Sequence, residues 1–382
     1  MVGCCSALSK LQTTLEDSSV ANVLEKALRG EKLTYHDGLL LMQSPDVHAI
    51  GAVADIMRKS HTSDTVTFVV SYNMNYSNVC VARCPICAFY VPYKKNLTDP
   101  RAYTLTVGKA LEQVTDGVKL GATEIHIVGG FNPELPLDYY EELIGTIKRK
   151  FPQVTVKALT LAEIHFIAKI TRNSTKEVLS RLKEAGLDAS TGGGAEIFAE
   201  EARSKISTKP KCSGEEWLQV AEEAHRLGIP GNSTMLYGHV ETAEHRVDHI
   251  LKLRELQDRA PGFLSFIPLK YSPENTELLT SGRVQGPSSP IDDLRVVAVS
   301  RLLLAGSINN ISVYWVSSGK HVAQAALTYG GNDLVGTAFQ EKIFKATGLE
   351  GTTTTEELIE MIREIGRTPA ERDTFYNIRQ RF

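Results

Sequence analysis

At 382 residues the chain exceeds the usual single-domain size, yet a barrel of roughly 250 residues with extensions accounts for it. Hydrophobic residues at 42% and charged residues at 23% exclude an extended disordered chain, and a formal net charge of −3 gives no global reason to expect nucleic acid or an anionic membrane as a partner. No apolar run approaches the roughly 18 residues that span a bilayer, and six cysteines in so long a chain do not make a disulfide framework, so a cytoplasmic protein is expected.

The N-terminus has neither a basic n-region nor a long apolar h-region, and Val2 stands where a myristoylation signal needs glycine, so Cys4 and Cys5 read as tail residues. From Ser19 to Ser60 apolar residues recur at helical spacing, with Val20, Val23 and Leu24, then Leu39 to Met42, then Ile50, Val53 and Ile56. Residues 1–64 are therefore expected to form a helical extension packed under the main domain. From Thr65 the pattern changes to short β-branched runs alternating with amphipathic segments, the order of parallel strands joined by crossover helices. Strands are expected at 65–73, 124–128, 154–158, 187–190, 232–236, 263–268, 311–315 and 333–337. Eight of them over 65–345 suggest a closed (β/α)8 barrel of TIM type.

The helices between carry their own signals. Ser213 is placed to cap a helix to about Leu227 with Glu216 reciprocating, and Gly121, Gly186 and Gly228 each follow a helical run where a left-handed end suits glycine. Residues 281–290, rich in Ser, Gly and Pro, read as a surface loop, and 346–382 as a helical C-terminal extension with a polar aromatic tail.

In such a barrel the reactive residues lie at the carboxyl ends of the strands. After strand one come Cys80, Cys84 and Cys87, spaced CxxxCxxC. Three thiolates are one short of a closed zinc or electron-transfer iron-sulfur site. The open possibilities are a cluster with one free iron, a zinc knuckle completed by a histidine such as His126, and three unrelated thiols. After strand two, Gly129-Gly130 permits close backbone approach or makes a simple turn. After strand four, Gly192-Gly193-Gly194-Ala195-Glu196 brings a carboxylate able to accept from a ribose diol or to sit at a helix start. Strand five ends in Tyr237, His239 and Glu241, and strand six in Lys270, Tyr271 and Asn275. His126 and Lys157 fall on strands two and three, facing the interior or anchoring the wall.

Together these pieces resemble a known family. From about Ser71 to Tyr376 the sequence is similar to the menaquinone-pathway radical S-adenosylmethionine (SAM) enzymes, and most closely to the aminofutalosine synthases. The matching pieces are Cys80-x3-Cys84-x2-Cys87-Ala-Phe-Tyr90, Gly192-Gly-Gly-Ala-Glu196-Ile, Asn232-Ser-Thr-Met-Leu-Tyr-Gly-His239-Val-Glu241, Ile267-Pro-Leu-x3-Pro273-Glu-Asn-Thr276 and Arg367-x4-Arg372-Asp-Thr. The Gly-Gly-Gly-Ala-Glu block is shared with the sister cyclase that acts on dehypoxanthine futalosine and separates both from deazaflavin-precursor synthases. Met235-Leu236-Tyr237 and Pro268-Leu269 favour the synthase. Four positions depart from the family pattern: Ile86 for an aromatic, Val91 for Arg, Asn132 for His and Thr191 for Pro.

The resemblance implies a radical SAM barrel and a [4Fe-4S] cluster on Cys80, Cys84 and Cys87. It also implies SAM contacts from Tyr90, Gly129, Gly130 and Glu196, and a one-electron donor such as flavodoxin or ferredoxin. It implies a 5′-deoxyadenosyl radical adding to 3-[(1-carboxyvinyl)oxy]benzoate in menaquinone biosynthesis. The sister cyclase is the alternative enzyme, and a non-catalytic iron-sulfur electron carrier the alternative of another class. Since that substrate carries two carboxylates, hydrogen-bonding or cationic groups are expected at the barrel mouth, with Lys270, Asn75 and Asn275 as contacts and His239 exchanging a proton.

Overall fold

The computed structural model describes residues 18–95, 98–349 and 351–382; Cys4 and Cys5 lie outside them. The strands in chain order are β1 (Thr65–Val69), β2 (Ser71–Asn75), β3 (Val79–Cys80), β4 (Val91–Pro92), β5 (Glu124–Val128), β6 (Thr155–Ala158), β7 (Gly231–Tyr237), β8 (Phe263–Lys270), β9 (Asp333–Gly336), β10 (Thr368–Arg372) and β11 (Ile378–Arg381).

These close a barrel. β2 pairs with β5 and β5 with β6, all parallel. Parallel bridges Lys157 to Ala189 and Ser190 to Gly231 carry the sheet through a minimal fourth stave to β7, which pairs along its length with β8. Bridges Phe266 to Ile311 and Ser312 to Asp333 pass through an equally short seventh stave to β9, and β9 returns to β1. β1 and β2 form one stave interrupted at Val70, so the ring has the eight expected from the sequence. The fourth and seventh staves are shorter than the apolar pattern at 187–190 and 311–315 implied; the fourth is bridged only at Ala189 and Ser190, and the seventh ends where Trp315 begins the helix Trp315–Ser318.

The helices outside the barrel begin where side-chain caps satisfy orphan amides. Ser213 accepts from the Glu216 amide at 3.1 Å while Glu216 accepts from the Ser213 amide at 2.7 Å, opening the helix Gly214–Arg226 as its sequence implied. Thr160 with Glu163 and Ser174 with Glu177 do the same for Leu161–Thr171 and Thr175–Ala185. The N-terminal helices Tyr35–Gln43 and Val47–Thr62 pack on Ala243–Arg259 and Pro290–Leu304. Gly51 lets the helix Val47–Thr62 also approach the segment after the helix Lys320–Ala326, since a Cβ there would lie 2.2 Å from the Tyr329 ring.

The C-terminal region differs from the helical extension read in the sequence. After the helix Thr355–Glu364, β10 runs parallel to β1 from Thr65 opposite Thr368, and β11 folds back antiparallel on β10. β1 thus pairs outward with β10 while its continuation β2 pairs with β5. The turn between β10 and β11 lies under the barrel. Arg372 there makes two bonds to Asp333 at 2.6 and 3.0 Å and lies over the Tyr376 ring at 4.0 Å, while Thr374 donates to Glu124 at 2.8 Å. Asp333 and Glu124 start β9 and β5, so this hairpin floors the barrel.

Candidate active site

The barrel interior holds a cavity of about 310 Å³ that runs from Cys87 and Glu196 at the mouth to Glu124, Lys157 and Arg372 at the floor. That size suits a small organic ligand. A filled TIM barrel has layers of branched apolar residues, whereas here Ser71, Asn73, Asn75, His126 and Lys157 line the interior on the first three staves.

At the mouth, the chain from Cys80 to Pro92 is closed by a short parallel ladder in which Val79 pairs with Val91 and Cys80 with Pro92. The loop is tied to its neighbours by the Val81 amide to the Phe131 carbonyl at 3.0 Å and the Leu278 amide to the Pro85 carbonyl at 3.0 Å. Cys80, Cys84 and Cys87 are all free thiols. Burial, reinforced by Cys84, pushes the Cys87 thiol up to about 12, and burial raises Cys80 as well. Bound cationic iron would offset that cost, since a coordinating thiol is deprotonated outright. Among the described residues no group of three His, Cys, Asp or Glu side chains is arranged around a single ion. A four-iron cluster gives each thiolate its own iron, so the three sulfurs of one loop suit it without meeting at a point. His126 is in the barrel wall beside Lys157, paired to it across β5 and β6, rather than in the cysteine loop where a zinc knuckle would need it.

Glu196 faces the same mouth. It has a positive φ of 49°, its amide neighbour Leu236 donates to its carbonyl at 2.7 Å, and its carboxylate is bonded to the Lys211 ammonium. Burial opposes ionisation, but Lys211 outweighs it and holds the carboxyl below its ordinary range. The preceding glycines are needed by packing: a Cβ on Gly192 would sit 1.8 Å from the Asn232 carbonyl oxygen. The loop is braced by Arg203, a fully buried guanidinium that donates to the carbonyls of Gly194, Ala195, Ile197 and Cys212. Cys212 is therefore the carbonyl end of this brace, with its thiol buried.

The other expected site residues divide. Asn75 lines the cavity, with its Nδ2 bonded to the Val128 carbonyl at 3.2 Å and its Oδ1 buried with no partner among the described residues. Gly129 and Gly130 do not line the cavity: their missing side chains admit the Tyr76 ring and the Val79 carbonyl, at 2.6 and 2.3 Å from the absent Cβ atoms. Gly130 does lie against Cys80, which keeps it beside the cysteine loop. Tyr90 is half-buried and close enough to Cys87 for their charges to interact.

Three expectations are corrected. His239 has no exposed side-chain surface: its Nε2 donates to the Leu236 carbonyl at 3.0 Å and its Nδ1 accepts from the Val240 amide at 2.7 Å, beside Glu241. With both nitrogens used it is a brace of the strand-five end, not a group facing a reactant. Lys270 is bound to Asp293 at 2.7 Å, which also takes the Tyr237 hydroxyl, and so is neutralised behind the wall. Asn275 is on the surface at a φ of 62°, donating to the Ala346 carbonyl at 3.1 Å.

Sequence reading missed Lys211, Arg203, Thr191 as a cavity residue, and Asn232. Lys211 sits in the loop between the helices Glu200–Ile206 and Gly214–Arg226, with no periodic signal to expose it. Thr191 Oγ1 and Asn232 Oδ1 are buried on residues that line the cavity and, among the described residues, lack partners, as Asn75 Oδ1 does. Of the family departures, Ile86 lines the cavity as an apolar wall, Val91 completes the ladder, and Asn132 bonds Thr104 at 3.0 Å.

A parallel eight-stave barrel with three free thiols over the mouth of a polar interior cavity defines the class. The chain belongs to the radical SAM superfamily, whose model matches residues 74–253, and residues 260–382 match the CofH/MqnC C-terminal region. It is 40% identical to aminodeoxyfutalosine synthase of Thermus thermophilus over 95% of this chain and 96% of the relative. Cyclic dehypoxanthine futalosine synthase of Streptomyces coelicolor is 36% identical, over 94% of this chain and 89% of the relative. A 5-amino-6-(D-ribitylamino)uracil–L-tyrosine 4-hydroxyphenyl transferase of Methanothermobacter thermautotrophicus is 37% identical, over 93% of this chain and 96% of the relative. Among solved structures the fold is like the FeFe-hydrogenase maturase HydG from Carboxydothermus hydrogenoformans, with a TM-score of 0.72 at 17% identity over 96% of this chain and 85% of that one. Methylornithine synthase is also similar, with a TM-score of 0.68 at 16% identity over 91% of this chain and 97% of that one. The chain is an enzyme that uses a [4Fe-4S] cluster and SAM. No helix among the described residues is long and apolar enough to cross a membrane.

Proposed function

We propose that this enzyme makes 6-amino-6-deoxyfutalosine for menaquinone biosynthesis. The observation that carries the reading is the near-full-length similarity to the Thermus synthase. When bound and reduced by an external one-electron donor, a [4Fe-4S] cluster held by Cys80, Cys84 and Cys87 would supply the electron for reductive cleavage of SAM, and the substrate joined to the adenosyl group would be 3-[(1-carboxyvinyl)oxy]benzoate.

The chain's own residues do the positioning. Cys80, Cys84 and Cys87 hold the cluster over the cavity, and Glu196 accepts from the SAM ribose hydroxyls. Gly130 lets the strand-two end close on Cys80, while Tyr90 walls the adenine. Val128, Leu236 and Ile267 surround the centre of the cavity with apolar surface that displaces water from the reacting carbons. In this reading the protein supplies orientation and exclusion of water, while the cofactor supplies the chemistry.

The test is anaerobic turnover with reductant, the carboxyvinyl benzoate and SAM labelled in the adenosine carbons. The label should enter a product larger than either reactant fragment, with one methionine released per product. Return of all label as free 5′-deoxyadenosine, with a cyclised futalosine derivative formed from the dehypoxanthine substrate, would move the chain to the sister activity.

A further inference from the structure

Just above the floor of the cavity are cationic and neutral donors that nothing among the described residues uses fully. Asn73, His126 and Lys157 are directly opposite one another on β2, β5 and β6, so their side chains enter the barrel at one height. Lys157 is 3% exposed, and among the described residues its ammonium makes a single long contact, 3.5 Å to Glu124. An ammonium has three donors, so most of its capacity is unspent. The His126 ring lines the cavity without a hydrogen bond among the described residues, and burial and the Lys157 charge keep it neutral against the opposing charge of Glu124. The second cation of the floor, Arg372, is different: its Nε and Nη2 donate to Asp333 and its Nη1 to the Asp373 carbonyl.

We propose that Lys157 and His126 form a subsite for one carboxylate of an aromatic acid, Lys157 binding one oxygen and an imidazole N–H the other. A single ammonium beside a neutral donor matches one delocalised negative charge, and the staves hold the two groups one strand apart, the spacing of neighbouring strands being about 4.8 Å. A doubly charged phosphate suits it less, because Glu124 is within reach of the same ammonium. Val128, two residues beyond His126 on β5, and Leu236 and Ile267 on β7 and β8 offer apolar cavity surface for a ring. This rests on the function proposed above and deepens it. The terminal vinyl carbon must meet the adenosyl group at the mouth, and the carboxylate on the adjoining carbon is the one that leaves. The retained ring carboxylate is then the one that reaches Lys157, and the anionic anchor is near the floor, not at the mouth.

The probes are 3-hydroxybenzoate and 3-hydroxybenzamide, titrated calorimetrically into the reconstituted enzyme. These share the ring and differ only in the anchor. Wild type should bind the acid at least about 30-fold more tightly than the amide, as expected for a buried charge pair. In Lys157→Met the two should come within about threefold, and in His126→Gln the preference should fall about tenfold. If Lys157→Met does not fold, judged by circular dichroism, His126→Gln decides. Equal binding of acid and amide by wild type, no binding of either, or an undiminished preference in the folded variants overturns the subsite. Product formation is not read, so a failed labelling experiment leaves this result standing, and the reverse.

Discussion

The pair Glu196–Lys211 shows what a single residue is asked to do at the mouth. Both are buried, and Lys211 is held above its ordinary range by Glu196 and by Cys84, although burial works against it. Removing one partner of a buried pair leaves the other charge unmet, at a cost of roughly 3 to 5 kcal/mol. Glu196→Ala is therefore expected to lower stability and, if the carboxylate holds the ribose, to weaken SAM binding about tenfold to a hundredfold while the iron and sulfide content stays that of wild type. Lys211→Met should lose stability similarly yet leave a carboxylate free to accept from ribose. SAM binding equal to wild type in Glu196→Ala would show that the carboxylate serves only Lys211. Cys212→Ala should keep full iron and sulfide, because the position contributes its carbonyl to Arg203 and not its thiol to the loop; loss of the cluster there would overturn the three-cysteine assignment.

At the scale of an element, the β10–β11 hairpin turns a tail into the floor of the cavity. Asp333 is completely buried and takes Arg372, the Thr67 hydroxyl at 2.7 Å and the Val335 amide at 2.8 Å. Arg372→Met is expected to lower the urea-unfolding free energy by roughly 3 to 5 kcal/mol, and Arg372→Met with Asp333→Asn by much less, because the double change removes both charges. A double variant no more stable than the single would show that the hairpin is held by its strand pairing with β1 instead. The sequence carried the motif Arg367-x4-Arg372 but not this role. A short polar strand such as Ile378–Arg381, exposed along its length, has no apolar alternation to reveal it. The same limit explains the mouth residues. The cysteines and the glycine-rich block were legible because their chemistry is in contiguous residues, and the capped helices because each cap is local. Lys211 was hidden because its partner is set by how two loops fold together. His239 was misread for the opposite reason: a polar tip at a strand end looks available until its own backbone is seen to use both nitrogens.

For the whole molecule, a barrel with a polar interior has a pH dependence that an apolar one lacks. His126 is held at about 4 by burial and Lys157, and His249 at about 3 by burial, its ring stacked on Phe198 with centroids 3.9 Å apart. For both groups the unfolded chain binds a proton that the fold refuses, so their contribution is complete above the ordinary histidine value near 6.5 and is lost as pH falls from there toward 4 and 3. Glu124 and Glu196, held low by Lys157 and Lys211 against burial, act in the same direction but only below the ordinary carboxylate range. Glu163 and Glu341, raised by burial, act oppositely: their contribution is complete below the ordinary carboxylate value and is lost as pH rises from there through their raised values. Between pH 6.5 and the carboxylate range the histidines therefore make stability fall with acid, and Glu163 and Glu341 oppose them. Urea unfolding followed from pH 7.5 to 5 should show stability falling with acid, on the order of 1 kcal/mol per histidine for each unit below its unfolded value. His249→Phe should remove its share of the slope, since phenylalanine keeps the stack on Phe198 and binds no proton. A slope over pH 6.5 to 5 that is identical in wild type, His126→Gln and His249→Phe would mean that neither ring is kept neutral by the barrel.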